Sequence, residues 1–152
     1  MTSEVAAFWR SYRAAHPEGQ AQPYDVFAFA DTPAVQDELA ALVLAGTKRA
    51  TTALVAAYAH EGQRPPEPGD ESVVLDGGGH PVCVIRTTRT DRCALNAVGA
   101  EFAAVEGEGD GSLAYWMQVH VAYFQRECAA MGLPFRPDAA VVCERFEVVY
   151  RA

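Results

Sequence analysis

The sequence predicts an α+β fold in one domain over residues 1–152, a small β-barrel flanked by helices. Extended, alternating segments are interleaved with stretches of helical periodicity, and a glycine turn joins two of the extended segments as a hairpin. No internal repeat and no long linker divides the chain. With 152 residues and 50% apolar composition, it holds enough material for one core without a metal or disulfide staple.

Each element has a local reason. Ser3 can cap a first helix to about Ala15, with Val5, Phe8, Trp9 and Tyr12 at helical spacing and Pro17 and Gly19 ending it. Tyr24 to Phe29 alternates and is aromatic, which predicts a short strand. Asp31-Thr32-Pro33 is a helix-start signal, a cap residue followed by proline at an early position. The helix it launches runs to Ala45 and places Val35, Leu39, Leu42 and Val43 on one expected buried face. Gly46 stops it, as a left-handed cap does. Thr51 then opens an extended run, and Ala53 to His60 predicts a short helix ending near Gly62.

Arg64 to Asp70 contains three prolines and is read as a loop, because proline removes a donor and fixes φ. Glu71 to Asp76 and His80 to Thr88 are read as strands joined by Gly77-Gly78-Gly79, a β-hairpin. A third strand or bend at Arg92 to Leu95 leads to a helix from about Ala97 to Val105. After the loop Glu106 to Asp110, a helix runs from Leu113 to Met131 and ends at Gly132-Leu133-Pro134. Ala140 to Tyr150 is the last strand; its alternation slips, which predicts a bulge or a strand covered on both faces.

Charge and cysteine usage narrow the partners. The formal net charge of -8 opposes a protein that grips a long duplex, since phosphate neutralisation supplies most of such affinity. No double-stranded DNA partner is expected. Lys48, Arg49, Arg86, Arg89 and Arg92 are read as a local positive basin suited to a single nucleotide or a short single strand. The four cysteines form no CxxC pair and lie in or beside apolar runs, so they read as buried thiols of a reducing compartment. No signal-peptide pattern opens the chain and no run is long enough to span a bilayer, so a cytoplasmic location without a membrane partner is expected.

Two stretches carry chemistry. In Ala45-Gly46-Thr47-Lys48-Arg49-Ala50-Thr51-Thr52, Lys48 leaves a fixed helix end and Thr51 follows three residues on, so an ammonium and a hydroxyl can enter one cavity. In Glu106-Gly107-Glu108-Gly109-Asp110, alternating glycines let the backbone turn tightly and bring carboxylates close to a ligand or another backbone. Three acids in five residues also invite a divalent metal. The spacing matches no calcium loop and no histidine is near in sequence, so no cofactor is assigned. On the following helix Trp116, His120 and Phe124 recur at i, i+4 and i+8, where His120 packs or orients a ligand.

With these motifs in order, the chain resembles the ASCH superfamily, which is PUA-like in fold. Its residues Gly46-Thr47-Lys48-Arg49-Ala50-Thr51 are similar to that family's Gly-x-Lys-x-x-Thr segment. Pro68-Gly69-Asp70 before a strand, and Glu106-Gly107-Glu108-Gly109-Asp110 before the Trp116/His120 helix, extend the resemblance from about Trp9 to Tyr150. It implies a barrel whose cleft takes RNA or a modified nucleoside. Some members resemble amidohydrolases that remove an acyl group from N4-acetylcytidine with a lysine, a threonine and a glutamate; others resemble single-strand ribonucleases or non-catalytic RNA-binding modules. Carried over by position, the catalytic set falls on Lys48, Thr51 and Glu108, with Arg49, Thr52, Glu106, Arg86, Trp116 and His120 as expected substrate contacts. Two features depart from the compact amidohydrolases: Thr52 adjoins Thr51, and the chain is longer.

The residue types alone allow amide hydrolysis, which needs a nucleophile, a proton carrier and a donor for the developing oxyanion. Whether Lys48 or Glu108 is the base is open at this level. The acidic balance favours a small nucleoside over a chain.

Overall fold

The computed structural model describes all residues, Met1–Ala152. In chain order the elements are α1 (Ser3–Ala15), β1 (Asp25–Phe27), α2 (Pro33–Leu44), β2 (Ala50–Leu54), α3 (Val55–Glu61), β3 (Glu71–Leu75), β4 (Pro81–Ala94), α4 (Ala100–Glu106), α5 (Leu113–Met131) and β5 (Ala140–Arg151). A 3₁₀ turn covers Leu95–Ala97. The fold is α+β: one five-stranded sheet, in the order β1-β3-β4-β5-β2, curls into a half-barrel with helices around it.

The sheet explains most departures from the sequence reading. β1 is short, and it pairs with β3 in parallel while every other pair is antiparallel. Ala30, at φ 74, turns the chain after Phe29, so the aromatic end of the predicted strand leaves the ladder and its ring becomes part of the core. The predicted strand at His80–Thr88 and the bend at Arg92–Leu95 are one strand, because β5 runs beside both halves of β4. Two register shifts interrupt that pairing, between Val84 and Ile85 and between Thr87 and Arg89. The first leaves Val149 unpaired on β5 and the second leaves Thr88 unpaired on β4. Such bulges increase local twist and bend the strand, which curls this sheet. Val141 to Glu144 is buried throughout, so β5 has both the bulge and the two covered faces its pattern implied.

Alternation places the helices. Val73 and Val84 pack under Val5, Trp9 and Tyr12 of α1, whereas Val74 and Ile85 pack under Leu39 and Val43 of α2 on the opposite face. α5 packs Trp116, Phe124 and Cys128 on Leu54, Leu95 and Val141. Val35 departs from the expected buried face of α2: it is 38% exposed and lies on the rim of the central cavity. The first helix is capped by Thr2, whose Oγ1 accepts from the Val5 N–H at 3.2 Å, one residue before the predicted cap. α4 begins at Ala100 because the 3₁₀ turn takes the preceding residues. All four cysteines are free; three are buried and Cys93 is half-buried. No helix is long and apolar enough to cross a membrane.

Candidate functional site

Lys48 is aimed by the end of α2. Gly46, at φ 77, reverses the chain, and the N–H groups of Thr47 and Lys48 both donate to the Leu42 carbonyl, at 3.0 and 3.1 Å. The turn is thereby tied to the helix, and the Lys48 side chain is buried with 1% exposed. Its ammonium donates to the Ala50 carbonyl at 2.8 Å, to Glu106 Oε2 at 3.2 Å and to Glu108 Oε2 at 2.8 Å. Those three acceptors use all three N–H groups. The Phe29 ring closes one side, its centroid 4.9 Å from Nζ.

The acidic loop reaches Lys48 because of one glycine. α4 ends at Glu106, Gly107 adopts φ 70, and the Arg49 N–H donates to the Val105 carbonyl at 3.0 Å. A Cβ on Gly107 would run into the Thr47 carbonyl, so backbone contact and left-handed φ both require glycine there. Gly107→Ala is expected to lose more than about 2 kcal/mol of stability in urea unfolding. A loss below half of that would show that the two segments part easily.

Glu106 is the centre of the cluster. Its Oε1 accepts from Thr52 Oγ1 at 2.8 Å and from the Trp116 indole N–H at 2.9 Å. Its Oε2 accepts from Lys48 and faces His120 Nε2 at 2.8 Å. Burial opposes the Glu106 charge, but the charge of Lys48 and the bond from His120 outweigh it and hold the carboxyl well below the usual carboxylate range. His120 Nδ1 lies 2.8 Å from the Trp116 carbonyl, which only accepts, so Nδ1 carries a proton. With Glu106 ionised, Nε2 donates as well and His120 is an imidazolium. Trp116 stacks on it, with centroids 4.0 Å apart.

Burial lowers the His120 pKa, yet its bond to Glu106 and the charge of that carboxylate leave it raised overall. A raised folded value gives stability that is full below the unfolded value near 6.5 and is lost as pH rises through the folded one. The stability gap between wild type and His120→Gln should therefore be largest below about pH 6.5 and shrink toward pH 9. A gap that widens with pH in urea titrations would contradict the imidazolium.

Glu108 differs from Glu106. Burial raises its pKa and the Glu106 charge adds to this, with Lys48 opposing; the result is a raised value. Two carboxyls separated by one glycine are thus driven apart, one held ionised and one pushed toward its neutral form. Such a split is how environment assigns acid and base roles. Glu106, Glu108 and His120 also bring possible metal-ligand atoms within 4.8 Å of one another. The Lys48 ammonium already bridges the two carboxylates, and His120 Nε2 carries a proton, so these residues do not fit a divalent ion while Lys48 stays in place.

The cluster opens on a cavity of about 770 Å³ between the sheet, α2, α3 and α5. Lys48, Thr51, Thr52, Glu106, Glu108 and His120 all contribute to its wall. Thr52 is 8% exposed and committed to Glu106, whereas the Thr51 hydroxyl makes no hydrogen bond and is half-buried at the cavity. Eight acidic residues line the cavity against Lys48, His120 and Arg126, and Arg126 is paired with Asp31 at 2.9 Å. Four tyrosines and three phenylalanines make up half of its apolar lining residues.

Three expected contacts fall elsewhere. Arg49 is exposed outside the cavity, because only its backbone joins the two segments. Arg86 pairs with the buried Glu71 at 3.0 Å, on the side where Tyr12 OH also meets Glu71. Arg89 is held by Asp91 at 2.8 Å, so the expected positive basin does not assemble. Trp116 is buried behind His120 and orients the cluster without reaching the cavity. Phe29 and Glu144 line the cavity and were not singled out in the sequence. The available signal for Glu144 was an acid directly after the apolar run Ala140–Cys143 of β5.

A curled half-barrel whose buried ion cluster faces an aromatic, acidic hollow defines a small α+β domain of PUA-like fold. The chain belongs to the ASCH domain family, which matches residues 25–150. The ASCH domain of Lactobacillus crispatus JV V101 is 35% identical, with a TM-score of 0.89 over 99% of this chain and 97% of that one. A DUF984-family protein of Enterococcus faecalis V583 is 34% identical, with a TM-score of 0.91 over 99% of this chain and 91% of that one. The hypothetical protein PH0355, at 16% identity and a TM-score of 0.55 over 82% of this chain and 97% of that one, shares the fold alone. No curated protein matches the sequence.

Proposed function

We propose that the protein is a hydrolase that takes a modified nucleoside into the cavity and removes an acyl group from N4 of a cytidine-type base. The observation that carries this reading is the split pair of carboxyls beside Lys48, one locked ionised and the other, Glu108, poised to exchange a proton at the cavity wall. The acidic lining also favours an uncharged flat ligand over a phosphodiester chain, which needs a basic track.

In this reading Thr51 supplies or positions the attacking oxygen, and ionised Glu108 takes its proton. The carbonyl oxygen gains the negative charge. Once Glu108 is protonated its hold on Lys48 weakens, which frees one ammonium N–H for that oxyanion. Collapse breaks the C–N bond, and Glu108 returns the proton to the departing N4. Where the attacking oxygen is that of a water held by Thr51, the acyl group leaves directly as a carboxylic acid; where it is Thr51's own, a water that gives its proton to Glu108 cleaves the acyl-threonine ester, and Glu108 returns that proton to Thr51. Glu106, fixed by Thr52, Trp116 and His120, keeps Lys48 in place throughout.

The test is turnover of N4-acetylcytidine by the wild-type protein, followed as release of cytidine. Scission of unstructured RNA with no nucleoside turnover would instead make the protein a single-strand ribonuclease. Salt-sensitive RNA binding without turnover of either substrate would leave a non-catalytic RNA-binding domain.

A further inference from the structure

Across the ladder from Thr51 stands Glu144 of β5. Directly opposed residues of an antiparallel pair point to one face of the sheet, so the two share a face, and both line the cavity. Glu144 is 9% exposed. Its Oε2 accepts from Thr87 Oγ1 at 2.6 Å, while its Oε1 has no protein partner and no ion pair neutralises the group. A half-satisfied carboxyl this deeply placed on a ligand cavity calls for a polar group from the ligand.

Resting on the nucleoside reading above, we propose that Glu144 reads the base: Oε1 faces the ring nitrogen N3 of a cytosine-type edge, and Oε2, oriented by Thr87, accepts the N4–H. A neutral carboxyl offers one donor and one acceptor side by side, which matches an acceptor N3 next to a donor N4–H. An ionised carboxylate offers acceptors only and meets the N3 lone pair unfavourably. Burial pushes Glu144 up to about 6, helped by the charges of Asp70 and Asp25 and opposed by the Thr87 bond and the charge of Lys48. Tyr24 and Tyr58 feel its charge in turn. The neutral form is therefore available in mildly acidic to near-neutral solution.

The test is calorimetric titration with cytidine, the unacylated nucleoside, from pH 5 to pH 8, with circular dichroism reporting the fold of each variant. Wild-type affinity is expected to fall by about 10- to 100-fold across that range as Glu144 ionises. Glu144→Gln, whose amide keeps one donor and one acceptor at every pH, should bind without that fall. Glu144→Ala should lose about 10- to 100-fold at pH 5. Thr87→Val removes a bond that favours the ionised form, so its loss of affinity should begin at higher pH. Glu144→Gln binding as weakly as Glu144→Ala, or Glu144→Ala keeping the wild-type affinity and profile, would overturn the assignment. Cytidine binding with this signature but no cleavage of N4-acyl nucleosides would remove only the hydrolytic reading. Cleavage indifferent to residue 144 would remove only this one.

Discussion

Glu106→Gln is expected to lose about 3–5 kcal/mol of folding stability, although the substitution is nearly isosteric. The wild-type carboxylate meets donors at both oxygens, Thr52 and Trp116 on one and Lys48 and His120 on the other. An amide must turn its NH₂ toward one of those pairs, which sets donor against donor. His120 loses its paired carboxylate at the same time, and Lys48 is left with Glu108 alone. For a chain of this size the loss lowers Tm by roughly 10 °C. Lys48→Met should share much of that cost, so the double variant is expected to fall short of the sum of the two single changes. Urea unfolding within about 1 kcal/mol of wild type for Glu106→Gln would show that the cluster does not hold the site together.

Glu108→Gln should do the opposite. The residue stands at the cavity wall with 10% of its side chain exposed, and its folded pKa is raised. A raised carboxyl value means that folding disfavours the ionised form, so charged Glu108 lowers stability as pH rises above its unfolded value. At pH 7 the neutral glutamine is expected to be at least as stable as wild type. Turnover should nevertheless fall by about 10²–10⁴-fold, the usual contribution of a positioned proton carrier. Under the proposed hydrolysis, two acids two residues apart thus separate into one that the fold needs and one that the reaction needs. Equal losses of stability from both substitutions would erase that distinction.

The sequence made the meeting of these two stretches legible through their glycines. Gly46 ends a helix with left-handed φ, and Gly107 permits the acidic loop to touch the backbone at Thr47. Side-chain direction was much less legible. Thr51 and Thr52 are adjacent hydroxyls in an extended run, and only the pairing with β5 decides that Thr51 shares a face with Glu144 while Thr52 opposes Cys143. Arg86 looked available to a ligand because nothing near it in sequence shows that Glu71, fifteen positions earlier, will claim it. Glu106 was read as a substrate contact; its four partners, two from the Lys48–Thr52 stretch and two from α5, make it the anchor of the cluster. The parallel pairing of β1 was hidden for the same reason, since three residues of local alternation cannot name their neighbour.

The most direct measurement is chromatographic analysis of N4-acetylcytidine incubated with wild type and with Glu108→Gln, with unstructured RNA as a parallel substrate. On the proposed reading, wild type releases cytidine and leaves the RNA intact, and the folded Glu108→Gln variant releases almost none. RNA cleavage without cytidine release, or undiminished release by Glu108→Gln, would contradict it.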